Sequence, residues 1–208
     1  MKIVITGGDG FCGWASSLRL ANAGHEILII DNLIRRKIDQ DLNVFSLTAI
    51  SEISDRVKEA NKTIGNITYK NLDISKDYYD LSKLISNFKP NAIVHFAEQR
   101  SAPYSMIGEK ERRYTVENNL STTQNLLSCI VDIDTNIHFV HLGTMGVYGY
   151  DTRYGKIPEG YLDIIIDSTK EKDKIIYPPN PGSIYHLTKV LDHQLLQFYK
   201  KNWNIPIT

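Results

Sequence analysis

The sequence predicts an α/β protein with a doubly wound parallel sheet, a Rossmann-type arrangement, and two observations support this class. Short apolar runs alternate with amphipathic stretches along all 208 residues, and the runs are too continuously apolar for strands with one solvated face. A glycine-rich turn also follows the first run and opens a helical pattern. Right-handed crossovers between parallel strands then place helices on both faces of one sheet.

The predicted elements follow one another in strand–helix order. The apolar runs predict strands at 2–6, 26–30, 67–70, 92–95, 137–142 and 205–208. The amphipathic stretches predict helices near 11–23, 51–64, 76–88, 109–132 and 183–202. Residues 32–66 are expected to form a long connection with a helix only in its second half. Residues 150–182 are expected to form an inserted hairpin, with strands at 161–167 and 174–177 and a turn at 168–172. Such long connections either contribute residues to a functional site or are surface loops without a function of their own.

Composition argues against several functional classes. The 24 Lys and Arg balance the 24 Asp and Glu, so no basic surface for nucleic acid is expected. The apolar runs are too short to span a membrane, and the first residues predict a strand rather than a signal peptide. Cys12 and Cys129 lack the spacing of a metal site or a disulfide framework. We therefore expect one cytoplasmic domain over 1–208, with two packed thiols and no metal.

A glycine-rich loop predicts a dinucleotide site. Gly7, Gly10 and Gly13 form a G-x-x-G-x-x-G string between the first predicted strand and helix. Glycines let backbone N–H groups approach a pyrophosphate, and the helix N-terminus offers it partial positive charge. Asp31 lies about twenty residues further on, where a carboxylate accepts the two hydroxyls of an adenosine ribose. Because this carboxylate repels a 2′-phosphate, the spacing predicts NAD rather than NADP.

Other residues near this loop extend the expected cofactor site. Arg35 and Arg36 leave the alternative that a 2′-phosphate is accommodated. Asp73 follows the third predicted strand, where it could meet the adenine amino group, cap the helix beginning near Ser75 or Lys76, or do both. The expected NAD contacts in this half of the chain are Gly7, Asp9, Gly10, Phe11, Cys12, Gly13, Asp31, Asn32, Arg35, Asp73 and Ile74.

A tyrosine and a lysine four residues apart predict a catalytic base. Tyr185 and Lys189 share one face of a predicted helix. A tyrosine with a pKa near 10 needs about 4 kcal/mol of help to act as a base at neutral pH. A neighbouring ammonium and a positively charged nicotinamide act in that direction. Thr144, after the fifth predicted strand, is expected to hydrogen-bond the oxygen being oxidised. The alternative is a chance pair, with a half-buried tyrosine and a surface lysine.

These motifs resemble the extended short-chain dehydrogenases/reductases that modify nucleotide sugars, the epimerase/dehydratase family. The shared features are the glycine loop, Asp31, His95-Phe96-Ala97, Asn118-Asn119, Val147-Tyr148-Gly149 and Tyr185-x-x-x-Lys189. The strings at 8–14, 31–36, 94–106, 142–146 and 185–189 are similar to those of members that join UDP-glucose to sulfite, and 94–106 is the most specific of them. The resemblance covers nearly the whole chain.

The resemblance implies a reaction on UDP-glucose and sulfite with tightly bound NAD. Tyr185, assisted by Thr144 and Lys189, would remove the proton of the 4-hydroxyl while hydride passes to NAD. The 4-keto group would let water leave across C5–C6, sulfite would add at C6, and the hydride would return. Arg100 would lie near the nicotinamide and the sugar and attract sulfite, or would form a buried ion pair with an acid such as Glu98. The resemblance also places Asn118 near the sugar or the cofactor.

One position departs from the family pattern. Val147 stands where a glutamate is usual, which leaves His186 as the candidate for proton transfers at C5 and C6. Val147 also restores the Val-Tyr-Gly of sugar epimerases, so a UDP-glucose 4-epimerase is an alternative function. A 4,6-dehydratase is another alternative, although Met145-Gly146 offers no acid–base pair. A further alternative is an NAD-binding module without turnover.

The resemblance also carries expectations about length and assembly. Family members continue beyond the equivalent of Thr208 into a part that binds the sugar nucleotide, so this chain is expected to lack that part. A chain without it is expected to fold marginally, to bind NAD weakly and to be inactive alone. The resemblance implies a homodimer formed through the helices near 109–132 and 183–202.

Overall fold

Five parallel strands form the central sheet of the computed structural model, which describes residues 1–150, 161–166, 171–176 and 178–208. The strands are β1 (Lys2–Thr6), β2 (Glu26–Asp31), β3 (Ile67–Asn71), β4 (Ala92–His95) and β5 (His138–His141). Their order is β3-β2-β1-β4-β5, and every neighbouring pair is parallel. The predicted doubly wound sheet is therefore confirmed. The chain changes direction across the sheet between β1 and β4, the point where ligands bind in such folds.

Helices cover both faces of this sheet. They are α1 (Phe11–Asn22), α2 (Ile34–Asp41), α3 (Ile53–Ala60), α4 (Tyr78–Phe88), α5 (Glu109–Ile133) and α6 (Ile184–Trp203). Successive strand residues point to opposite faces, so Ile3 and Ile5 pack against the layer of α1 and α3. Val4 packs instead in the layer that contains α4, α5 and α6. None of the helices in the described part of the chain is long and apolar enough to cross a bilayer.

The prediction for the first half of the 32–66 connection is wrong, because α2 lies there. Ile34 and Ile38 are the only apolar side chains in this helix, too few for a clear periodic pattern. Local polar contacts support it instead. Asn32 Oδ1 accepts a hydrogen bond from the Ile34 N–H at 3.1 Å, and Arg35 forms an ion pair with Asp39 one turn later at 3.1 Å.

Other differences concern where elements begin and end. α4 begins at Tyr78 rather than near 76, because Asp73 closes a turn before it by accepting from the Ser75 N–H at 3.1 Å and the Ser75 hydroxyl at 2.6 Å. β6 (Tyr161–Ile166) and β7 (Glu171–Ile176) pair antiparallel, and β7 begins three residues earlier than predicted. The rest of the predicted hairpin, at 151–160, 167–170 and 177, lies outside the described residues.

The predicted sixth strand is reduced to one short contact along β5. Ile207 pairs in parallel with Phe139. The His141 N–H donates to the carbonyl of Thr208 at 2.9 Å, and the Phe139 N–H donates to the carbonyl of Pro206 at 2.8 Å. Residues 206–208 therefore supply acceptors to the outer edge of β5.

Candidate cofactor and active site

A cavity of about 550 Å³ opens at the carboxyl ends of the central strands, within the size range of cofactor pockets. It extends from Asp31 at the end of β2 to Lys189 on α6. Every cofactor residue expected from the sequence lines it: Gly7, Asp9, Gly10, Phe11, Cys12, Gly13, Asp31, Asn32, Arg35, Asp73, Ile74, Arg100, Asn118, Tyr185 and Lys189. The fold thus brings residues from distant parts of the chain to one concave surface.

The glycine loop is packed too tightly for side chains at Gly7, Gly8 and Gly13. Gly7 has φ +74°, and a Cβ there would lie 2.6 Å from the carbonyl carbon of Phe96. A Cβ on Gly13 would lie 2.2 Å from the carbonyl oxygen of Gly7. This packing brings the start of α1 to the cavity, where the N–H groups of its first turn have no partner within the helix. The loop and helix therefore fit a pyrophosphate.

Asp31 is held in position by backbone N–H groups. Its Oδ2 accepts from the N–H of Asp9 at 2.9 Å, and its Oδ1 accepts from the N–H of Leu33 at 2.8 Å. Burial raises the pKa of Asp31, although these two hydrogen bonds act in the opposite direction. A carboxylate has about four acceptor positions, so two remain for the ribose hydroxyls. This geometry fits the expected role of Asp31.

Three arginines converge on the buried carboxylate of Asp9. Arg36 donates to it from two nitrogens at 2.8 Å each, Arg56 pairs with it, and Arg35 lies 3.5 Å away. Burial alone would raise the pKa of Asp9, but the hydrogen bond from Arg36 and the three positive charges lower it. The Arg36 guanidinium is thus held by Asp9 and does not point to where a 2′-phosphate would bind. Asp31 and these pairings together fit NAD.

The predicted catalytic pair, Tyr185 and Lys189, lies at the other end of the cavity, in the first turns of α6. Tyr185 is half-buried, and burial followed by the charges of Glu98 and Asp192 raises its pKa, while Arg100 acts to lower it. The Lys189 ammonium lies 2.6 Å from Glu98 Oε2 and donates to the carbonyl of Leu142 at 2.8 Å. Lys189 is therefore paired with a buried carboxylate that the sequence analysis did not assign to it.

Thr144 and His186 do not line the cavity. The Thr144 hydroxyl accepts from the N–H of Gly146 at 3.2 Å and begins a short 3-10 turn. The Nδ1 atom of His186 lies 3.0 Å from the Ser183 hydroxyl and 3.1 Å from the Tyr150 hydroxyl. The His186 ring also fills the place of a side chain at Gly146, where a Cβ would lie 2.2 Å from it. The catalytic roles of Thr144 and His186 stay predictions.

Arg100 and Asn118 both face the cavity. Arg100 is exposed and has no ion pair within 4.0 Å among the described residues. The alternative that it pairs with Glu98 is wrong, because Glu98 pairs with Lys189. Asn118 is buried, and its amide donates to the side chain of Asn119 at 3.1 Å. Arg100 is thus a cation available to an anionic ligand.

A buried ionisable group beside Lys189 was missed by the sequence analysis. Glu98 and His95 line the inner wall of the cavity, and His141 and Asp192 lie next to them outside its lining. The ring nitrogens of His95 and His141 and an oxygen of Glu98 lie within 4.8 Å of one another, but the Lys189 ammonium already supplies a positive charge there. The sequence places Glu98 just after β4 and His141 at the end of β5, but it gives no sign that either is buried beside Asp192.

Comparisons with known proteins agree with this geometry. The model of the NAD dependent epimerase/dehydratase family matches residues 3–208. The UDP-sulfoquinovose synthase of Sulfolobus acidocaldarius is 41% identical over an alignment of 210 positions that covers 100% of this chain and 52% of that protein. The chloroplastic UDP-sulfoquinovose synthase of Spinacia oleracea is 39% identical over 100% of this chain and 42% of that protein. The chain spans about half the length of the curated relatives it matches.

Solved structures support the same fold. The X-ray structure of Pal from Bacillus thuringiensis has a TM-score of 0.73 at 24% identity and covers 100% of this chain and 54% of its own. UDP-glucose 4-epimerase from Brucella ovis, solved in complex with NAD, has a TM-score of 0.69 at 21% identity over 99% of this chain and 50% of its own. Since the family model spans almost the entire chain, the protein belongs to the NAD dependent epimerase/dehydratase family.

Proposed function

We propose that this chain provides the NAD-binding and catalytic part of an enzyme that makes UDP-sulfoquinovose from UDP-glucose and sulfite. The observation that carries the proposal is Arg100, an exposed cation that lines the cavity with Tyr185 and has no ion pair among the described residues. Sulfite is a small anion, and a fixed guanidinium is suited to attract it. The 41% and 39% identities to UDP-sulfoquinovose synthases support the same substrate pair.

The residues of the chain would act in a fixed order. Tyr185 takes the proton of the sugar 4-hydroxyl, with Thr144 holding that oxygen and Lys189 stabilising the tyrosinate. Bound NAD would supply the acceptor for the hydride of C4 and its donor at the end of the cycle, and the residues that line the cavity would hold the cofactor. The C4 ketone acidifies the proton on C5, so water is lost as that proton and the 6-hydroxyl. Sulfite then adds to C6 and a proton returns to C5, with Arg100 holding the anion and His186 as the candidate for these proton transfers.

Val147 favours 4-epimerisation of UDP-glucose as a second candidate function. In the segment Thr144–Gly149 the chain offers no carboxylate for proton transfer at C5 and C6. An epimerase needs only the Tyr185 base, Lys189, Thr144 and the cofactor. A 4,6-dehydratase has less support, because Met145-Gly146 provides no acid–base pair.

Mass spectrometry of products distinguishes these functions. The full-length protein is incubated with UDP-glucose, NAD and excess sulfite, and we expect a C6-sulfonated UDP-sugar. Arg100→Gln should reduce sulfonate formation at least tenfold, whereas Arg112→Gln, an exposed arginine outside the cavity, should not. UDP-galactose without sulfonate would establish the epimerase instead. Bound cofactor without product from any UDP-hexose would indicate an NAD-binding module.

We also propose a cytoplasmic homodimer formed through α5 and α6. Four large apolar side chains of α6 are exposed, and three of them, Leu187, Leu191 and Phe198, lie on one side of the helix, while the fourth is Trp203. Exposed apolar patches of this kind favour protein association. Sedimentation of the full-length protein should give a dimer, and Leu191→Glu should shift it towards monomer. A wild-type monomer at the same concentration would contradict the proposed assembly.

A further inference from the structure

Five ionisable side chains form a closed cluster beside the catalytic pair. This buried cluster consists of His95, Glu98, His141, Lys189 and Asp192, and each side chain is at most 5% exposed. The residues come from the ends of β4 and β5, the segment after β4, and α6. From α5, the hydroxyls of Thr122 and Thr123 face His95 at 3.5 and 3.4 Å. Outside the cluster, the exposed His193 on α6 acts electrostatically on His141.

The cluster contains one cation and two carboxylates. The Lys189 ammonium lies 2.6 Å from Glu98 Oε2. The histidines add no positive charge, because burial lowers the pKa of His95, and burial and Lys189 lower the pKa of His141 to about 3. With Glu98 and Asp192 both ionised, one positive charge would face two negative charges in a site closed to water. Such an uncompensated buried charge is strongly unfavourable, and proteins relieve it by protonation.

Asp192 also has no well-formed hydrogen bond with its neighbours among the described residues, although the nearby Thr123 hydroxyl acts to lower its pKa. Neither of its side-chain oxygens has a hydrogen-bond partner in the described part of the chain. His141 Nε2 lies 3.8 Å from it, but the same nitrogen lies 3.3 Å from the Lys189 ammonium, which can only donate. His141 Nε2 is therefore the acceptor in that contact and has no proton for Asp192. Burial, and then the charge of Glu98, raise the pKa of Asp192, against the effects of Lys189 and Thr123.

We propose that Glu98 and Asp192 share one bound proton, and that this proton keeps the cluster neutral so that Lys189 can assist Tyr185. The shared proton follows from the cluster alone, while its effect on turnover rests on the proposed function. Loss of the proton at alkaline pH places a second negative charge beside Lys189 and Tyr185. The charges of Glu98 and Asp192 raise the pKa of Tyr185 and so disfavour the tyrosinate, whereas the charge of Arg100 lowers this pKa and favours it. Glu98 and Asp192 are therefore positioning residues that define an alkaline limit of activity.

Infrared titration of the full chain tests the shared proton without substrate. The wild type should show the carbonyl band of a buried protonated carboxyl at neutral pH, and the band should disappear at alkaline pH. Asp192→Asn should lack the band. Glu98→Gln should also lack it at neutral pH, because Asp192 then faces Lys189 alone and ionises. Asp80→Asn, an exposed carboxyl on α4, should leave the band unchanged. A band that persists in Glu98→Gln, or is missing in the wild type, would overturn the proposal.

Thermal unfolding gives a second measurement. A group whose pKa is raised on folding lowers stability as pH rises from its unfolded pKa, near 4 for Asp, through its folded pKa. The Tm of the wild type should therefore fall relative to that of Asp192→Asn over this interval, and a constant difference would contradict the raised pKa.

The pH profile of NADH formation from UDP-glucose tests the consequence for turnover. The rate of the wild type should decline with the same midpoint as the infrared band, and Asp192→Asn should lose that decline. An unchanged alkaline limit in Asp192→Asn would overturn the positioning role. Absence of NADH with an intact infrared titration would count against the proposed function and leave the shared proton standing.

Discussion

The two ends of the cavity differ in how their buried carboxylates are compensated. At the adenosine end, three arginines surround Asp9, and their side chains remain 16–28% exposed. At the catalytic end, one lysine faces Glu98 and Asp192, and all three are closed off from water. Guanidinium groups stay charged at every ordinary pH, and exposure screens their repulsion. Carboxylates in a closed site are relieved by binding protons. The comparison therefore predicts that the arginine cluster around Asp9 is less sensitive to pH than the buried carboxylates at the catalytic end.

The largest effect is expected from removing the base at the catalytic end. Tyr185→Phe should lower turnover of the full-length protein by at least about a hundredfold, the usual range for a general base. NAD affinity should stay within a few-fold, because the ring still packs. Lys189→Ala should lose turnover and affinity together, since its ammonium is also expected to hold the nicotinamide ribose. Rates and calorimetry measure both, and a Tyr185→Phe variant with most of its rate would refute the catalytic assignment.

At the adenosine end, Asp9→Asn removes the anion that three arginines share. Breaking a buried ion pair costs about 3 kcal/mol or more, so the free energy of unfolding should fall by about that amount. The loss should be similar on both sides of neutral pH in urea titrations. Asp39→Asn, which affects only the partly exposed pair with Arg35, should cost under about 1 kcal/mol. If the loss of unfolding free energy in Asp9→Asn depended strongly on pH, the proposed difference between the two ends of the cavity would be wrong.

A smaller free-energy effect is expected for the cofactor preference, which depends on residues at the adenosine end. Because Asp31 has acceptor positions left and Arg36 is held by Asp9, the wild type should prefer NAD over NADP at least tenfold, about 1.4 kcal/mol. Asp31→Asn should bring this ratio close to one in calorimetry. Equal affinities in the wild type would mean that Arg35 or Arg36 leaves its partner to receive the phosphate.

The smallest effect is expected in the loop beside the catalytic end. Gly146→Ala must displace the His186 ring, and overpacking of this kind costs about 1 kcal/mol or more in unfolding experiments. Gly143→Ala is the matched control, because a Cβ there would meet nothing within 4 Å. It should stay within about 0.5 kcal/mol of the wild type. Equal effects at both positions would show that the His186 ring moves aside freely.

The sheet and the cofactor site were predictable because their signals are local in the sequence. Strands buried on both faces appear as continuous apolar runs, and a phosphate loop needs glycines next to a strand and a helix. Asp31 follows at a known spacing because it ends the neighbouring strand. α2 was not predictable in this way, since Arg35–Asp39 and the turn at Asn32 support it without an apolar face.

The buried cluster could not be predicted because its members meet only in three dimensions. Glu98 and Asp192 are 94 positions apart in the chain, and nothing in their local sequence indicates that both are closed off from water. A carboxylate in an exposed loop and one facing the core look alike in a sequence. Only the packing of α6 against β5 brings Asp192 within 3.8 Å of His141.

Tyr185, Lys189 and Asp192 lie on successive turns of the same helix, α6. An α-helix moves nearly as a rigid rod, so these three side chains cannot be displaced independently along its axis. The opposite side of the rod carries Leu187 and Leu191, which are exposed. Any contact that shifts this outer side by a fraction of an ångström changes the base, its ammonium and the buried proton at once. If the protein assembles through this outer side, as proposed, α6 would link its assembly mechanically to the proposed chemistry.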